Sequence, residues 1–347
     1  MFRTGIVIIT HNSGAHIVDC LDAVERFRSP QDRVLVIDNA SPVRHVASIQ
    51  NEANLGFAGA ANQGFAALKD QVDAILLLNP DVILTAPLAP LAEACATSGI
   101  AGGSLIDRDG IPQIGFSFRR FPTPTALLFE IIGINKLWKW NPVNRRYRCL
   151  DADHGAAQAV DQPAGAMLMI RKDVWESVGG FDEGFHPVWF EDVDFCFRAS
   201  IAGFRAAYVP GVTGIHEGGH SVLQLLDRNR KEYWYASLMR YSRKHFGRVG
   251  HGLVAGGVAM AAVARVLGMA LRLQSGSLKD AAMNLKIARK ALMYRSHNSD
   301  TGFQKTGSAS GDVDGGAAAA DVRSRVFNEG SPSKQNTERM LKRLHAR

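Results

Sequence analysis

A chain of 347 residues with 46% apolar side chains is large enough for two domains, or one large domain with appendages, which excludes a mainly disordered polypeptide. Its four cysteines, Cys20, Cys95, Cys149 and Cys196, show no C-x-x-C spacing, which excludes a disulfide scaffold and a cysteine zinc site and fits a reducing compartment. The formal charge of +7 is concentrated: residues 1–227 carry 18 Lys/Arg against 25 Asp/Glu, residues 228–295 carry 14 against 2, and residues 296–347 carry 8 against 6. Basicity confined to one segment that is also rich in Ala, Leu and Val argues for an anionic membrane surface and against nucleic acid.

The run Met1 to Thr10 is too brief for a signal-peptide core, so the chain is expected to begin in the cytoplasm. Ile6 to Ile9, Val34 to Ile37 and Ala74 to Leu78 are short continuous apolar runs, the pattern of strands buried on both faces of a parallel sheet. Between them, Ala15 to Phe27 and Ala58 to Leu68 have helical composition and spacing. This alternation predicts an α/β nucleotide-binding sheet flanked by helices. Each strand run ends in polar residues: Thr10 to Ser13, Asp38 to Ser41, and Asn79 to Asp81. Ligands of open α/β sheets sit beyond the carboxyl ends of strands, so the three clusters should face one crevice.

Asn54 to Gly64 is a glycine-containing loop running into a helix, able to bring N–H groups near a phosphate or simply to start a tightly packed helix. It matches neither the dinucleotide fingerprint nor the P-loop, which weakens dehydrogenase and NTPase readings. Residues 116–150 mix Arg119, Arg120, Lys136, Lys139, Arg145, Arg146 and Arg148 with Leu127, Ile131, Trp138 and Trp140, which suits a membrane interface or a helical insertion with a solvated basic face. From Gly252 to Leu273 the chain is apolar, but Arg265 and Arg272 interrupt it. An Arg near a bilayer centre costs about 2.5–3.5 kcal/mol, so a helix lying in or on the membrane is expected rather than a clean span. Ser277 to Asp280 resembles a capping box opening a basic helix to about Arg295, and the Gly/Ser/Asp/Ala-rich tail after Ser296 is expected to be disordered. The expected divisions are thus 1–115, a nucleotide-binding α/β half; 116–226, a half that carries the densest acidic chemistry; 227–295, a membrane-association segment; and 296–347, the tail.

The densest chemistry lies in Gly179 to Arg198, where Glu191, Asp192 and Asp194 crowd beside Trp189, Phe190, Phe195 and Phe197. Packing three carboxylates among aromatics raises desolvation and repulsion costs that a solvated charge run avoids, and a carboxylate so placed suits proton abstraction. The residues alone leave the choice among the three open, although Asp194 and Arg198 have the i,i+4 spacing of a structural ion pair. Asp38 and Asn39 are suited to reading a base or ribose or to capping a turn. Asp81 after Pro80 is suited to holding a cation on a diphosphate, or to a turn. His216 and His220 compete as a metal ligand or phosphate contact.

These pieces, in this order, resemble the family 2 inverting glycosyltransferases of the GT-A fold, especially bacterial rhamnosyltransferase-like enzymes. The blocks that carry the resemblance are Val7 to Ser13, Val36 to Ser41, Asn54 to Gly59, Leu77 to Asp81, Gly179 to Asp194 and His216 to Ser221. The resemblance implies that Thr10, Asn12, Asp38 and Asn54 contact the nucleotide, that Gly56, Asn79, Trp189, Glu191 and Asp194 contact substrate, that Asp81 with His216 holds Mg²⁺ or Mn²⁺, and that Asp192 is the catalytic base. Two departures stand out: Asn79 occupies the place of the first Asp of the family's D-x-D motif, and His11 stands where an aromatic is usual. The implied activity is transfer of a sugar, with L-rhamnose one candidate, from a nucleoside diphosphate donor to a polyprenyl-linked or polysaccharide acceptor of the cell envelope. The implied setting is the cytoplasmic face of the inner membrane, with a peripheral or interfacial attachment. The rival reading is a non-catalytic scaffold or binding subunit of a polysaccharide assembly. A nucleotidyltransferase loses support because Thr10 to Ala15 lacks a basic glycine-rich loop.

Overall fold

The computed structural model describes residues 2–14, 16–43, 47–218, 227–271 and 277–293. Residues 1–292 form one compact unit; the second, 293–347, lies almost entirely outside the described residues, and with it the expected disordered tail.

Three buried apolar runs become the centre of a sheet. Strand β1 (Thr4–Thr10) pairs in parallel with β2 (Arg33–Asp38) on one side and β4 (Ala74–Leu78) on the other, and β2 pairs in parallel with β3 (Ile49–Gln50). Having neighbours on both edges and helices on both faces, β1 and β4 have no solvent side, which is why their sequences do not alternate. Helices α1 (His16–Phe27) and α2 (Gly56–Leu68) lie within a residue or two of the expected ranges. The core on the α2 side joins Val7, Ile37, Ala60 and Phe65 to Trp175, Phe181 and Phe195 from the far half of the chain. Phe65 stacks on Trp175 with ring centroids 4.6 Å apart.

The sheet is mixed, not parallel throughout. β10 (Met167–Arg171) inserts antiparallel between β4 and β6 (Gly99–Ile106). β11 (Arg205–His216) then runs parallel to β6, while β5 (Val82–Leu84) and β8 (Gln158–Val160) lie antiparallel to β11. A small second sheet pairs β7 (Phe118–Arg119) with β9 (Gln162–Pro163). The α/β expectation therefore holds, but the halves expected at 1–115 and 116–226 share one sheet. The other helices of this part are α3 (Ala89–Ser98), α4 (Pro124–Ile132), α5 (Ile134–Leu137), α6 (Pro142–Tyr147), α7 (Lys172–Val178) and α8 (Glu191–Ile201).

The expected break at 226/227 is not a break in packing. Helix α9 (Asp227–His245) is fastened to the preceding part of the chain by Arg240 and Lys244 on Asp182 and by Lys244 and His245 on Asp194. α10 (Arg248–Leu271) packs on α4. Within it, Arg265 donates to the Ile131 carbonyl oxygen (3.3 Å) and lies over the Tyr235 ring, so this charge is held by protein. α11 (Ser277–Met293) begins at the expected Ser277 and is tied to α9 by Lys286 and Lys290 on Glu232; the side chains of the expected capping box, and Arg272, lie outside the described residues. The stretch Arg248–Leu267 has a mean hydropathy of 1.5 and is long and apolar enough to cross a bilayer, with 33% of it buried on the body. Its Val254, Val258 and Ala262 face inward, while Val249, Leu253, Met260, Val263 and Leu267 are exposed.

Candidate active site

Register assembles the first part of the site. Thr10 and Asp38 are partners at the ends of β1 and β2, and Asn79 to Asp81 leave the end of neighbouring β4. Asp38 is fully buried, and its Oδ1 accepts from the Ser41 N–H (2.9 Å). The Ser41 hydroxyl in turn accepts from the Asn12 N–H (2.8 Å), holding Asn12 at φ 57°. Thr10 is also fully buried, and its hydroxyl has no partner among the described residues. Asn39 links this turn to the next loop: its Nδ2 donates to Asn54 Oδ1 (3.0 Å) and its Oδ1 accepts from the Leu55 N–H (3.0 Å).

Of the two uses its sequence offers, the 54–57 loop starts a tightly packed helix, α2. The Gly56 N–H donates to Asn54 Oδ1 (2.8 Å) and the Phe57 N–H to the Pro187 carbonyl (2.8 Å), so both donors are already engaged. Gly56 has φ 72°, and a Cβ there would lie 2.9 Å from the His186 ring and 3.0 Å from the Pro187 oxygen. Gly56 is thus required for a close approach between the nucleotide side and the loop leading into α8.

Asp81 and His216 meet because β5 pairs antiparallel with the end of β11, which places Val82 opposite His216. His216 Nε2 lies 3.8 Å from Asp81 Oδ2, and both side chains are buried. Gln113 Nε2 donates to the His216 carbonyl (2.6 Å), which turns Gln113 Oε1 toward His216 Nδ1 (3.0 Å). The ring proton then sits on Nδ1, leaving the Nε2 lone pair toward Asp81. Burial lowers the His216 pKa although Asp81 opposes this, which keeps the imidazole neutral and able to ligate. This donor set fits a divalent cation. Among the described residues no third His, Cys, Asp or Glu joins it, so a bound ion would take its remaining ligands from phosphate oxygens and water.

A cavity of about 440 Å³ brings Asn79, Trp189, Glu191, Asp192 and His216 together, with Phe116, Arg119, Glu130, Arg148, Gly165 and Trp234 also in its wall. Thr10, Asn12, Asp38, Asn54 and Asp81 do not line it; the first three lie at the β1 and β2 ends, Asn54 in the loop before α2 and Asp81 after β4. Asp192 Oδ2 accepts from the Gly165 N–H (3.0 Å) and Oδ1 from the Val193 N–H (2.8 Å). Gly165 belongs to the turn between β9 and β10, which is fixed to β4 by the Asn79 N–H on the Ala166 carbonyl (2.9 Å). Burial raises the Asp192 pKa against the two N–H bonds and the Arg119 charge. Glu191, 5% exposed, has no partner for Oε2 among the described residues. Burial first and the neighbouring Asp192 second push its pKa well above the usual carboxyl range, so it holds its proton more tightly than a free carboxyl.

Asp194, expected among the substrate contacts, is fully buried away from the cavity. It binds Arg198 (2.8 Å), Lys244 (2.7 Å) and His245 (2.7 Å), so its acceptor capacity is used in fastening α8 to α9. Gln113, Arg119 and Gly165 belong to the site without having been singled out as site residues. Gly165 acts through its backbone N–H and Gln113 through a side chain whose partner is distant in sequence, so neither leaves a motif, and Arg119 was masked by the basic character of its segment.

The description "Glycosyl transferase family 2" matches residues 5–109, and "Glycosyl transferase family group 2" matches residues 154–283. The chain is 26% identical over 239 residues to N-acetylglucosaminyl-diphospho-decaprenol L-rhamnosyltransferase of Mycobacterium tuberculosis, covering 62% of this chain and 76% of that protein. It is 27% identical over 232 residues to the rhamnosyltransferase WbbL of Escherichia coli, covering 62% and 83%. Among solved structures, S. aureus TarS in complex with UDP-GlcNAc aligns with a TM-score of 0.46 at 15% identity, over 84% of this chain and 81% of that one. Matched over residues 5–109 and 154–283, the chain is a family 2, rhamnosyltransferase-like glycosyltransferase.

Proposed function

We propose that this glycosyltransferase moves a sugar, with L-rhamnose the first candidate, from a nucleoside diphosphate to a lipid-linked or growing cell-envelope glycan, with inversion at the anomeric carbon. The observation that carries the reading is Asp192, whose carboxylate is aimed by two backbone N–H groups in the wall of a cavity that also contains His216. An acceptor hydroxyl is a poor nucleophile at neutral pH, and an adjacent carboxylate raised by burial is a better proton acceptor than an exposed one. Asp192 takes the hydroxyl proton as the acceptor oxygen attacks the anomeric carbon from the side opposite the departing diphosphate. One such displacement inverts that carbon. Asp81 and His216 would hold Mg²⁺ or Mn²⁺, which when bound supplies positive charge to the leaving diphosphate. Trp189 and Trp234 in the cavity wall offer flat apolar faces for sugar rings.

The M. tuberculosis relative is named for rhamnose transfer to a diphospho-decaprenol acceptor, which supports the lipid-linked choice. The membrane side of the reading rests on exposed apolar groups beside cations: Leu137, Trp138 and Trp140 near Lys136, Lys139, Arg145 and Arg146, together with the outer face of α10. We infer from this an attachment to the cytoplasmic face of the membrane. The test is a panel of nucleotide sugars, including dTDP-rhamnose, with Mg²⁺ or Mn²⁺ and a lipid-linked sugar acceptor, the product anomer being read by NMR. Transfer with inverted configuration is expected; a retained anomer, or no turnover and no nucleotide binding, overturns the reading.

A further inference from the structure

Arg119 sits in the segment expected at a membrane interface, yet its side chain lines the active-site cavity. It is placed there by β7, which pairs Arg119 with Gln162 of β9 just before the turn that holds Asp192. Its Nε donates to the Gly115 carbonyl (2.6 Å), and its guanidinium carbon lies 5.6 Å from the centre of the Phe116 ring. The Phe116 ring stacks on His216, with centroids 5.1 Å apart and planes 17° from parallel. Through this run the guanidinium is coupled to the Asp81–His216 pair, while its charge is also felt by Asp192. Among the described residues no carboxylate forms an ion pair with Arg119, and its two terminal nitrogens have no hydrogen-bond partner.

A partly buried guanidinium bears a desolvation cost that one carbonyl and one ring offset only in part. The nearby acids do not pair with it: both oxygens of Asp192 accept from backbone N–H groups, and Glu191 forms no ion pair among the described residues. The turn after β4 is also short of one negative charge, because Asn79 stands two residues before Asp81 where a second carboxylate would help retain a cation. A planar fork with two free nitrogens suits the oxygens of a phosphate better than any other anion that the reaction brings in.

We propose that Arg119 binds the diphosphate of the nucleotide donor and neutralises part of the charge that develops on it. This rests on the nucleotide-sugar reading above. As the bond from the anomeric carbon to the diphosphate oxygen breaks, the electron pair stays on that oxygen, and Arg119 N–H groups donate to the phosphate bearing it. The acceptor oxygen forms the new bond and its proton passes to Asp192, so the step balances without another reagent. Diphosphate binding should therefore survive removal of the divalent cation in part, and Arg119 should be the reason.

The experiment is calorimetry on the full-length chain with UDP, dTDP and GDP and with the matching nucleosides, each in Mg²⁺ and in EDTA. For whichever base binds, Arg119→Gln should weaken the diphosphate on the order of 10- to 100-fold in EDTA, the effect of losing charge-assisted hydrogen bonds. The nucleoside's affinity should not change, and Arg119→Lys should lose less than Arg119→Gln. Undiminished diphosphate binding by Arg119→Gln in EDTA overturns the proposal, and so does an equal loss of nucleoside and diphosphate, which marks a structural role. If the unaltered protein binds none of the six compounds, the nucleotide-sugar reading itself fails, an outcome distinct from failure of Arg119 alone.

Discussion

The first turn of α8 faces two regions built on opposite principles. Toward the cavity, Glu191 keeps an oxygen with no partner among the described residues and Asp192 is held only by backbone N–H groups. Toward α9, Asp194 has Arg198, Lys244 and His245 around it, and Asp182 nearby has Arg240 and Lys244. The same residue type, within one turn of helix, serves reaction on one side and cohesion on the other. The difference lies in the surroundings: cations of α8 and α9 on the inner side, and backbone N–H groups on the cavity side.

The sharpest way to break this comparison is Asp194→Ala. It removes the buried carboxylate shared by Arg198, Lys244 and His245, leaving Lys244 only Asp182, and should cost about 3–5 kcal/mol of stability, read from urea unfolding. Burial raises the Asp194 pKa, but His245, Arg198 and Lys244 outweigh burial and the net shift is downward. Its contribution is therefore complete above the unfolded value of about 3.9 and is lost as pH falls below that. The penalty of Asp194→Ala should shrink in acid; a penalty independent of pH would mean that the clamp is not electrostatic.

Asp192→Asn keeps the shape and removes the basicity. Transfer should drop by at least ~10²-fold while nucleotide binding stays near that of the unaltered protein. Near-normal transfer would move the base to a neighbour.

Glu191→Gln sharpens the contrast within the cavity. The amide keeps a hydrogen-bond donor where the protonated acid has one, so transfer should fall less than about tenfold, within the range of one uncharged hydrogen bond. Because the folded state holds this proton more tightly than the unfolded chain, Glu191 costs stability above the unfolded pKa of about 4.3. Glu191→Gln should be more stable than the unaltered protein at neutral pH, with the gain vanishing as pH approaches 4. A stability loss at pH 7 would contradict the raised pKa.

The smallest effect is expected on the nucleotide side, where Asp38 acts by holding the Ser41–Asn12 turn. Asp38→Ala should weaken nucleoside binding by about tenfold or less and cost about 1–3 kcal/mol for the buried Ser41 N–H left without its acceptor. Affinity unchanged by calorimetry would remove this turn from the nucleotide site.

The buried β1, β2 and β4 were legible because unbroken apolar runs flanked by helical spacing have few other uses. The site was legible where chemistry is concentrated in one stretch, at Glu191 and Asp192, and where a strand ends in an acid, at Asp81. Charge pattern alone was misleading in the C-terminal third. Arg240, Lys244, His245 and Arg265 all look like groups for an anionic surface, yet each is engaged by a carboxylate, a carbonyl or a ring within the protein. Nothing local to a cation tells which of these it will meet. Gly165 and Gln113 were illegible for the same reason: their partners, Asp192 and His216, lie 27 and 103 residues further along the chain.

The insertion of β10 between β4 and β6 has a consequence for the order of assembly. Strands β1 to β4 can pair as soon as they leave the ribosome, but β4 keeps an open apolar edge until Met167 to Arg171 arrive. Closing that long loop costs chain entropy that only the completed sheet returns. The strand that covers the edge also brings the turn that aims Asp192, so a nascent chain fixes this carboxylate in the same event that covers the open edge of β4.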